Sequence, residues 1–352
     1  MRPAQIAVPS LVRIKPGALA RLGVYLRRAG TARAVVVASA GLPMFILDEA
    51  KGALARADIS LVACHEAGDA TYEAASTLAG AMLLSGAADV IVGLGGGKAL
   101  DVAKLMASIA GLPMVAVPTS LSNDGFASPR ASLTVSGARR SLACAGPVGV
   151  VVDTEVCLGA PEALWLSGIG DVVAKVTAVR DWKLAFHATG TPVDDLAALL
   201  SDATVFQLMA HTVRDLEGQR LLATALLQNG VAMTMAGSSR PASGSEHLIS
   251  HALDETGVDV RLHGLQVGVA AALMALLQEN DAAERVIAML ETSGFLAHLK
   301  GQPLSRHAWH DAVRRAPSVK RDFYTVLSAH DDAPAKVLAL IDRTPALRAV
   351  FV

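Results

Sequence analysis

Three histidines, one aspartate and a run of glycines are the residues of this chain best suited to chemistry. His247 and His251 stand four residues apart, so on a helix they share one face. Ser243-Gly-Ser-Glu246 just ahead of them has the form of a capping box that would start that helix. His263 precedes an apolar helical pattern, Gly264 to Glu279, and Asp171 heads another, Gly170 to Trp182. One carboxylate with two imidazoles leaves a coordination position open, as a catalytic zinc requires. The same set also matches a non-haem iron triad, and spacing alone does not choose the metal. Positions 248 to 250 are Leu-Ile-Ser, so the arrangement is not HExxH. Taken singly, Asp171 also reads as a helix cap and each histidine as an ordinary satisfied side chain.

Ile91-Val-Gly-Leu-Gly-Gly-Gly-Lys98 ends a strand pattern and opens a helix, Ala99 to Ala110. Gly95, Gly96 and Gly97 would let the backbone approach a pyrophosphate, and a helix start offers free N–H groups and partial positive charge. The spacing is neither GxGxxG nor a Walker A loop, and a tight turn without a ligand would use the same glycines. Asp101, in the first turn, either favours the helix start or accepts from cofactor hydroxyls. A second polar stretch runs from Val115 to Arg130, where Thr119, Ser120 and Ser122 offer the uncharged hydrogen bonds a nicotinamide ribose needs. Read otherwise, it is a turn-rich connector with Asn123-Asp124-Gly125 as a hairpin turn.

Two different element patterns must position these residues. Ala34 to Ala38, Ile59 to Cys64, Val90 to Gly93, Met114 to Pro118 and Val148 to Val152 read as buried strands. Helical patterns separate them, Pro43 to Ala57 and Ala70 to Gly86 among others. Such alternation implies βαβ units and a parallel, doubly wound sheet. Beyond about residue 160 the β-branched runs give way to successive helical patterns that reach the C-terminus. The expected architecture is a Rossmann-like α/β domain over 1–158 followed by an all-helical domain over 159–352, with a site in the cleft between them.

At 352 residues the chain exceeds the roughly 250 to 300 that one core usually serves. With 52% apolar and 18% charged residues it has material for sizeable cores. None of its apolar stretches reaches the roughly 18 residues of a membrane span. The net charge of −1 favours no polyanion, and 4% aromatic residues supply little for base stacking, so neither nucleic acid nor membrane insertion is expected. Met1 to Arg13 lacks a signal-type apolar run. Cys64, Cys144 and Cys157 are odd in number and show no CxxC spacing, so a reducing cytoplasm is expected.

Five stretches, taken in order, resemble the sn-glycerol-1-phosphate dehydrogenase family, a relative of iron-containing alcohol dehydrogenases, glycerol dehydrogenase and dehydroquinate synthase. They are GLGGGKALDVAK (Gly93 to Lys104), PTSLSNDGFASPRAS (Pro118 to Ser132), GIGDVVAKVTAVRDWKLA (Gly168 to Ala185), SRPASGSEHLISHALD (Ser239 to Asp254) and HGLQVG (His263 to Gly268). The resemblance implies that Asp171, His247 and His263 bind a divalent metal, zinc or nickel, with iron in some relatives. It implies that His251 and Asp124 contact substrate, with Asp171 shared, and that Gly97 to Asp101 (Lys98 included), Thr119 to Ser122 and Ser128 line the dinucleotide. Ser39-Ala-Gly41 carries no acidic residue, so NAD is not separated from NADP. The expected reaction is reversible reduction of a small phosphorylated triose, dihydroxyacetone phosphate, by a homo-oligomer. Arg130, Lys175 and Arg240 are candidates to hold the substrate phosphate. A polyol dehydrogenase acting on an unphosphorylated substrate, or a cyclase of the dehydroquinate synthase kind, would use the same frame.

Overall fold

The computed structural model describes residues 8–86 and 88–352; Met1 to Ala7, the start of the amino-terminal stretch read above, lie outside the described residues. The chain divides between Ala160 and Pro161 into two units.

In the first unit, eight strands form: β1 (Leu11–Lys15), β2 (Arg33–Ser39), β3 (Ser60–Ala67), β4 (Val90–Gly95), β5 (Met114–Pro118), β6 (Arg130–Val135), β7 (Ala138–Ala143) and β8 (Gly149–Asp153). Five helices accompany them: α1 (Leu22–Arg28), α2 (Met44–Ala55), α3 (Tyr72–Ser85), α4 (Gly97–Ala110) and α5 (Thr154–Leu158). Six strands make one parallel sheet in the order β1-β8-β5-β4-β2-β3. The central strands are buried along their whole length, which is why they read as unbroken Val/Ile runs rather than alternating patterns. Val36, Val92 and Val151 sit fully buried in the core beneath α1 and α2, each such burial worth about 1.5–3 kcal/mol. From β2 the chain adds β3 on one side and β4 on the other, so the strand order reverses between β2 and β4. Open α/β sheets bind ligands at the carboxyl ends of the strands flanking such a reversal.

Two features of this unit escape the strand pattern. β1 is an edge strand of mixed residues, LVRIK, half-buried except at the exposed Arg13. β6 and β7 form a separate antiparallel hairpin whose two-residue turn, Ser136-Gly137, has positive φ at both positions. That Ser-Gly pair is the signal that marks it, because only such residues suit the turn's twist. Asn123-Asp124-Gly125, by contrast, is not a hairpin. The Asn123 side chain accepts from the Gly125 N–H at 2.9 Å and starts a single 3-10 turn, Asp124–Phe126.

The second unit is helical: α6 (Glu162–Val173), α7 (Lys175–Thr189), α8 (Asp195–Met209), α9 (Leu216–Ala236), α10 (Ser245–Thr256), α11 (His263–Leu277), α12 (Ala283–Thr292), α13 (Phe295–Lys300), α14 (Arg306–Val319), α15 (Val326–Ala329), α16 (Ala333–Arg343) and α17 (Pro345–Arg348). Among the described residues its one β feature is an isolated bridge between Leu304 and Phe351. Asp171 does not begin a helix, as its sequence setting suggests; it lies inside the last turn of α6. Gly168 and Gly170 look like a break, yet both lie inside α6, and Gly170 serves a crossing. A Cβ on Gly170 would run into the carbonyl oxygen of Gly264, and one on Gly264 into that of Ser167. Gly268 likewise stands against the Gly170 backbone. Helices α6 and α11 therefore cross main chain to main chain, an approach that only residues without side chains permit.

Candidate dinucleotide turn and metal centre

In the first unit, β4 ends at Gly95, whose φ of +137° lies where side chains are strained. A Cβ there would also strike the Ser39 side chain at the end of β2, and Ser39 Oγ accepts from the Gly96 N–H at 3.0 Å. Gly95 is thus needed for strand-to-strand closeness. Gly96 and Gly97 face no such obstacle. A Cβ on either would meet open space, and no side chain caps α4. The start of α4 therefore presents backbone N–H groups above a bare floor, which suits a phosphate. Lys98 is exposed beside them.

Thr119 follows β5, and its N–H donates to the Gly95 carbonyl at 3.1 Å, tying the Thr119–Ser122 loop to the glycine turn. Ser120, Ser122 and Asp124 are half-buried. Two other expected residues face inward. Asp101 is buried, and burial pushes its carboxyl up against the opposing influence of Lys104, 3.5 Å away. Ser128 is buried as well, its hydroxyl directed at the carbonyls of Gly125 (3.4 Å) and Arg130 (3.3 Å). Both of those carbonyls accept from Lys104 Nζ at 2.6 Å. Lys104 is fully buried and braces the whole Asp124–Arg130 loop from beneath. Sequence reasoning missed it, although a lysine within the apolar stretch Val102 to Met106, three residues after Asp101, is an odd enough choice to signal a buried partner.

In the second unit, Asp171, His247 and His263 each offer one ligand atom, all within 4.8 Å of one another. The α6–α11 crossing brings Asp171 and His263 together, each next to a crossing glycine. Asp171 Oδ1 stands 3.6 Å from His247 Nε2. Two ligands about 2.0–2.1 Å from a tetrahedral ion would stand about 3.4 Å apart, so the pair fits one ion and the set of one oxygen and two nitrogens suits zinc, nickel or iron. The ring of His251 is centred 6.0 Å from that of His263, and the His247 ring 5.1 Å from it, so all three imidazoles cluster.

The surroundings are dry and charged. Burial opposes ionisation of Asp171, yet the Lys175 ammonium, 3.1 Å from Oδ2, and His247 outweigh it and hold the carboxyl below its usual range. For His247 burial likewise opposes charge, but its bonds to Asp171 and Glu246 prevail and push the imidazole up. Glu246, fully buried, has its Oε1 2.8 Å from His247 Nδ1 and accepts from Thr177 Oγ1 at 2.8 Å. It also accepts from the Gly244 N–H at 2.6 Å, while the Ser245 N–H goes to Asp181 at 2.7 Å. The expected capping box is therefore absent: Gly244 is the N-cap, without a capping side chain, and two buried carboxylates meet the first N–H groups of α10.

The three cations considered for a substrate phosphate are engaged within the protein. Arg130 bonds the Ser141 hydroxyl and carbonyl, and Lys175 pairs with Asp171. Arg240 donates to the Tyr324 and Asp322 carbonyls and stacks on Phe323, its centre 3.6 Å from the ring. No helix among the described residues is long and apolar enough to cross a membrane.

Residues 13–161 match the iron-containing alcohol dehydrogenase family. The chain is 36% identical over 260 residues to the glycerol-1-phosphate dehydrogenase [NAD(P)+] of Thermoplasma volcanium, covering 72% of this chain and 74% of that one. It is 39% identical over 277 residues to the enzyme of the same name from Thermofilum pendens, covering 77% and 78%. A probable glycerol dehydrogenase from Sinorhizobium meliloti superimposes with a TM-score of 0.73 over 97% of this chain and 98% of that one. At 20% identity this likeness concerns the fold.

Proposed function

The chain belongs to the glycerol-1-phosphate dehydrogenase family, and on that premise we propose that it interconverts dihydroxyacetone phosphate and sn-glycerol 1-phosphate, using NAD(P) and one divalent metal ion. The observation that carries the reading is the buried cluster of one carboxylate oxygen and two imidazole nitrogens within 4.8 Å. Asp171, His247 and His263 would hold the ion, with zinc the best fit to the donors and nickel or iron also suited. When bound, the ion would supply a Lewis acid for the carbonyl oxygen, and NAD(P)H the hydride. The amide of Gly97 and the following N–H groups at the start of α4 would receive the pyrophosphate, with Lys98 beside it. Thr119, Ser120 and Ser122 would meet the nicotinamide ribose, and Lys104, Asp101 and Ser128 would hold the neighbouring loop in shape. His251 and Asp124 are the proposed substrate contacts. His251 is also the proposed donor of the proton that the alkoxide oxygen needs.

We place the enzyme in the cytoplasm, because its three cysteines are unpaired, and expect a homo-oligomer. Light scattering on the eluting peak of a sizing column checks the oligomer. The central test follows NADH and NADPH oxidation with dihydroxyacetone phosphate and with free dihydroxyacetone, after loading the protein with zinc. Rapid turnover of the phosphorylated ketone alone supports the reading; preference for the free triose makes the protein a polyol dehydrogenase. His263→Ala should lose both turnover and retained zinc. A variant with normal rate and full metal content would refute the centre.

A further inference from the structure

Each imidazole proposed above as a ligand has its far nitrogen held by a separate partner from within the second unit. His247 Nδ1 is 2.8 Å from Glu246 Oε1. Both oxygens of the Glu246 carboxyl already accept from other donors, so here too it accepts, Nδ1 carries a hydrogen, and Nε2 is the nitrogen a metal ion can take. Nε2 faces Asp171 Oδ1 at 3.6 Å, and a metal ion that takes the place of a proton there meets both atoms. Glu246 is held in turn by the Thr177 hydroxyl and the Gly244 N–H, so its carboxylate has little freedom to turn.

The same logic runs through a different group at His263. Ser250 Oγ lies 3.2 Å from His263 Nδ1 and donates its own proton to Gln266 Oε1 at 2.7 Å. With the Gln266 oxygen as its acceptor, the hydroxyl accepts from the ring, so His263 Nδ1 carries hydrogen and Nε2 is the nitrogen that faces the ion. Ser250 stands one turn along α10 from Glu246, and Gln266 one turn into α11 from His263.

We infer that Glu246 and the Ser250–Gln266 pair are positioning residues that fix the tautomers of His247 and His263, so that both rings meet the ion through Nε2. The inference rests on the metal reading above and adds which atoms bind and what selects them. Groups that orient a ligating histidine in this way commonly change metal affinity by about 10- to 100-fold when removed. Glu246 is the stronger of the two because it is charged and triply bonded; the Ser250 hydroxyl is neutral.

The test titrates zinc(II) into the metal-free full-length protein by calorimetry. Glu246→Gln should bind zinc about 10- to 100-fold more weakly, and Ser250→Ala about 10-fold more weakly, while Ser250→Thr, which keeps the hydroxyl, should recover wild-type affinity. The KM for NADH of the zinc-saturated variants should stay unchanged, which a general loosening of the fold would not allow. Should Glu246→Gln fail to fold, histidine-labelled wild type still decides, since long-range 1H–15N spectra of the zinc-loaded protein report which nitrogen bears hydrogen. Protonated Nδ1 on both ligating rings supports the inference; a ligating Nδ1 on either overturns it. Wild-type affinity in both Glu246→Gln and Ser250→Ala overturns it while leaving the metal centre intact. If the wild type takes up no zinc at all, the metal reading fails and this inference with it.

Discussion

The two units handle polar chemistry in opposite ways. In the first, the candidate ligand surface is backbone: amides over a bare glycine floor, with two buried charged residues, Asp101 and Lys104, turned inward beside a loop that Lys104 braces. In the second, it is made of side chains, and Asp171, Lys175, Glu246 and His247 are packed together where water is scarce. Main-chain recognition depends on the local path of a few consecutive residues. Side-chain recognition depends on helices distant in sequence meeting at the right height. The first is robust to its neighbours, and the second is only as good as its crossings.

The largest effect should come from breaking a crossing. Gly264→Val would force α6 and α11 apart, so zinc binding should vanish and unfolding should come about 3 kcal/mol earlier or more in a denaturant titration. Retained zinc with an unchanged midpoint would mean the crossing does not govern the centre. Gly95→Ala attacks the first unit in the same spirit, combining a strained φ with a clash on Ser39. Strain of about 1–3 kcal/mol should weaken NADH binding about tenfold, read by nucleotide fluorescence, and leave zinc affinity untouched. A loss of zinc in that variant would erase the contrast between the units.

Lys104→Met should act more mildly. It removes the short bonds to the Gly125 and Arg130 carbonyls but leaves Ser128 directed at both, so the KM for NADH should rise severalfold with kcat nearly kept. A fall in kcat with constant KM would assign Lys104 a part in the chemistry instead.

The smallest effect is a slope. Burial and the neighbouring Glu246 push the Asp181 carboxyl up to about 6 from an ordinary 3.8. The folded protein then holds a proton that the unfolded chain has released, so stability should decline as pH rises from about 4 to about 6 and level off above. Asp171, held low, acts in the opposite sense and only below that window. Urea midpoints across the range should show the decline in the wild type and not in Asp181→Asn; parallel curves would remove Asp181 from the account.

The sheet was legible because parallel strands buried on both faces demand β-branched runs, and Ala34 to Ala38 or Val148 to Val152 can hardly be read otherwise. β1 was not, since an edge strand half-open to solvent tolerates Arg13 and Lys15. The helical half was legible as helix but not in its breaks: Gly168 and Gly170 imitate a terminus in one dimension, and in three Gly170 makes a contact. The candidate ligands stand out by residue type alone. Their supports do not, because Thr177 reaches Glu246 across 69 positions of sequence, and nothing local in either segment announces the bond. Glu246 read as a cap for the same reason: its spacing fitted a familiar motif, while its partner His247 lay on its far side.

The glycines of the α6–α11 contact also dictate how the second unit could change over time. Because peptide planes touch there, the separation of the two backbones that carry Asp171 and His263 is set by polypeptide thickness. A side chain can swing to suit an ion of another radius, but stacked peptides cannot. Substituting the three candidate ligands is therefore the wrong place to look for a change of metal. Such a shift would have to be written at Gly170, Gly264 and Gly268, positions that offer no donor atom of their own to the candidate centre.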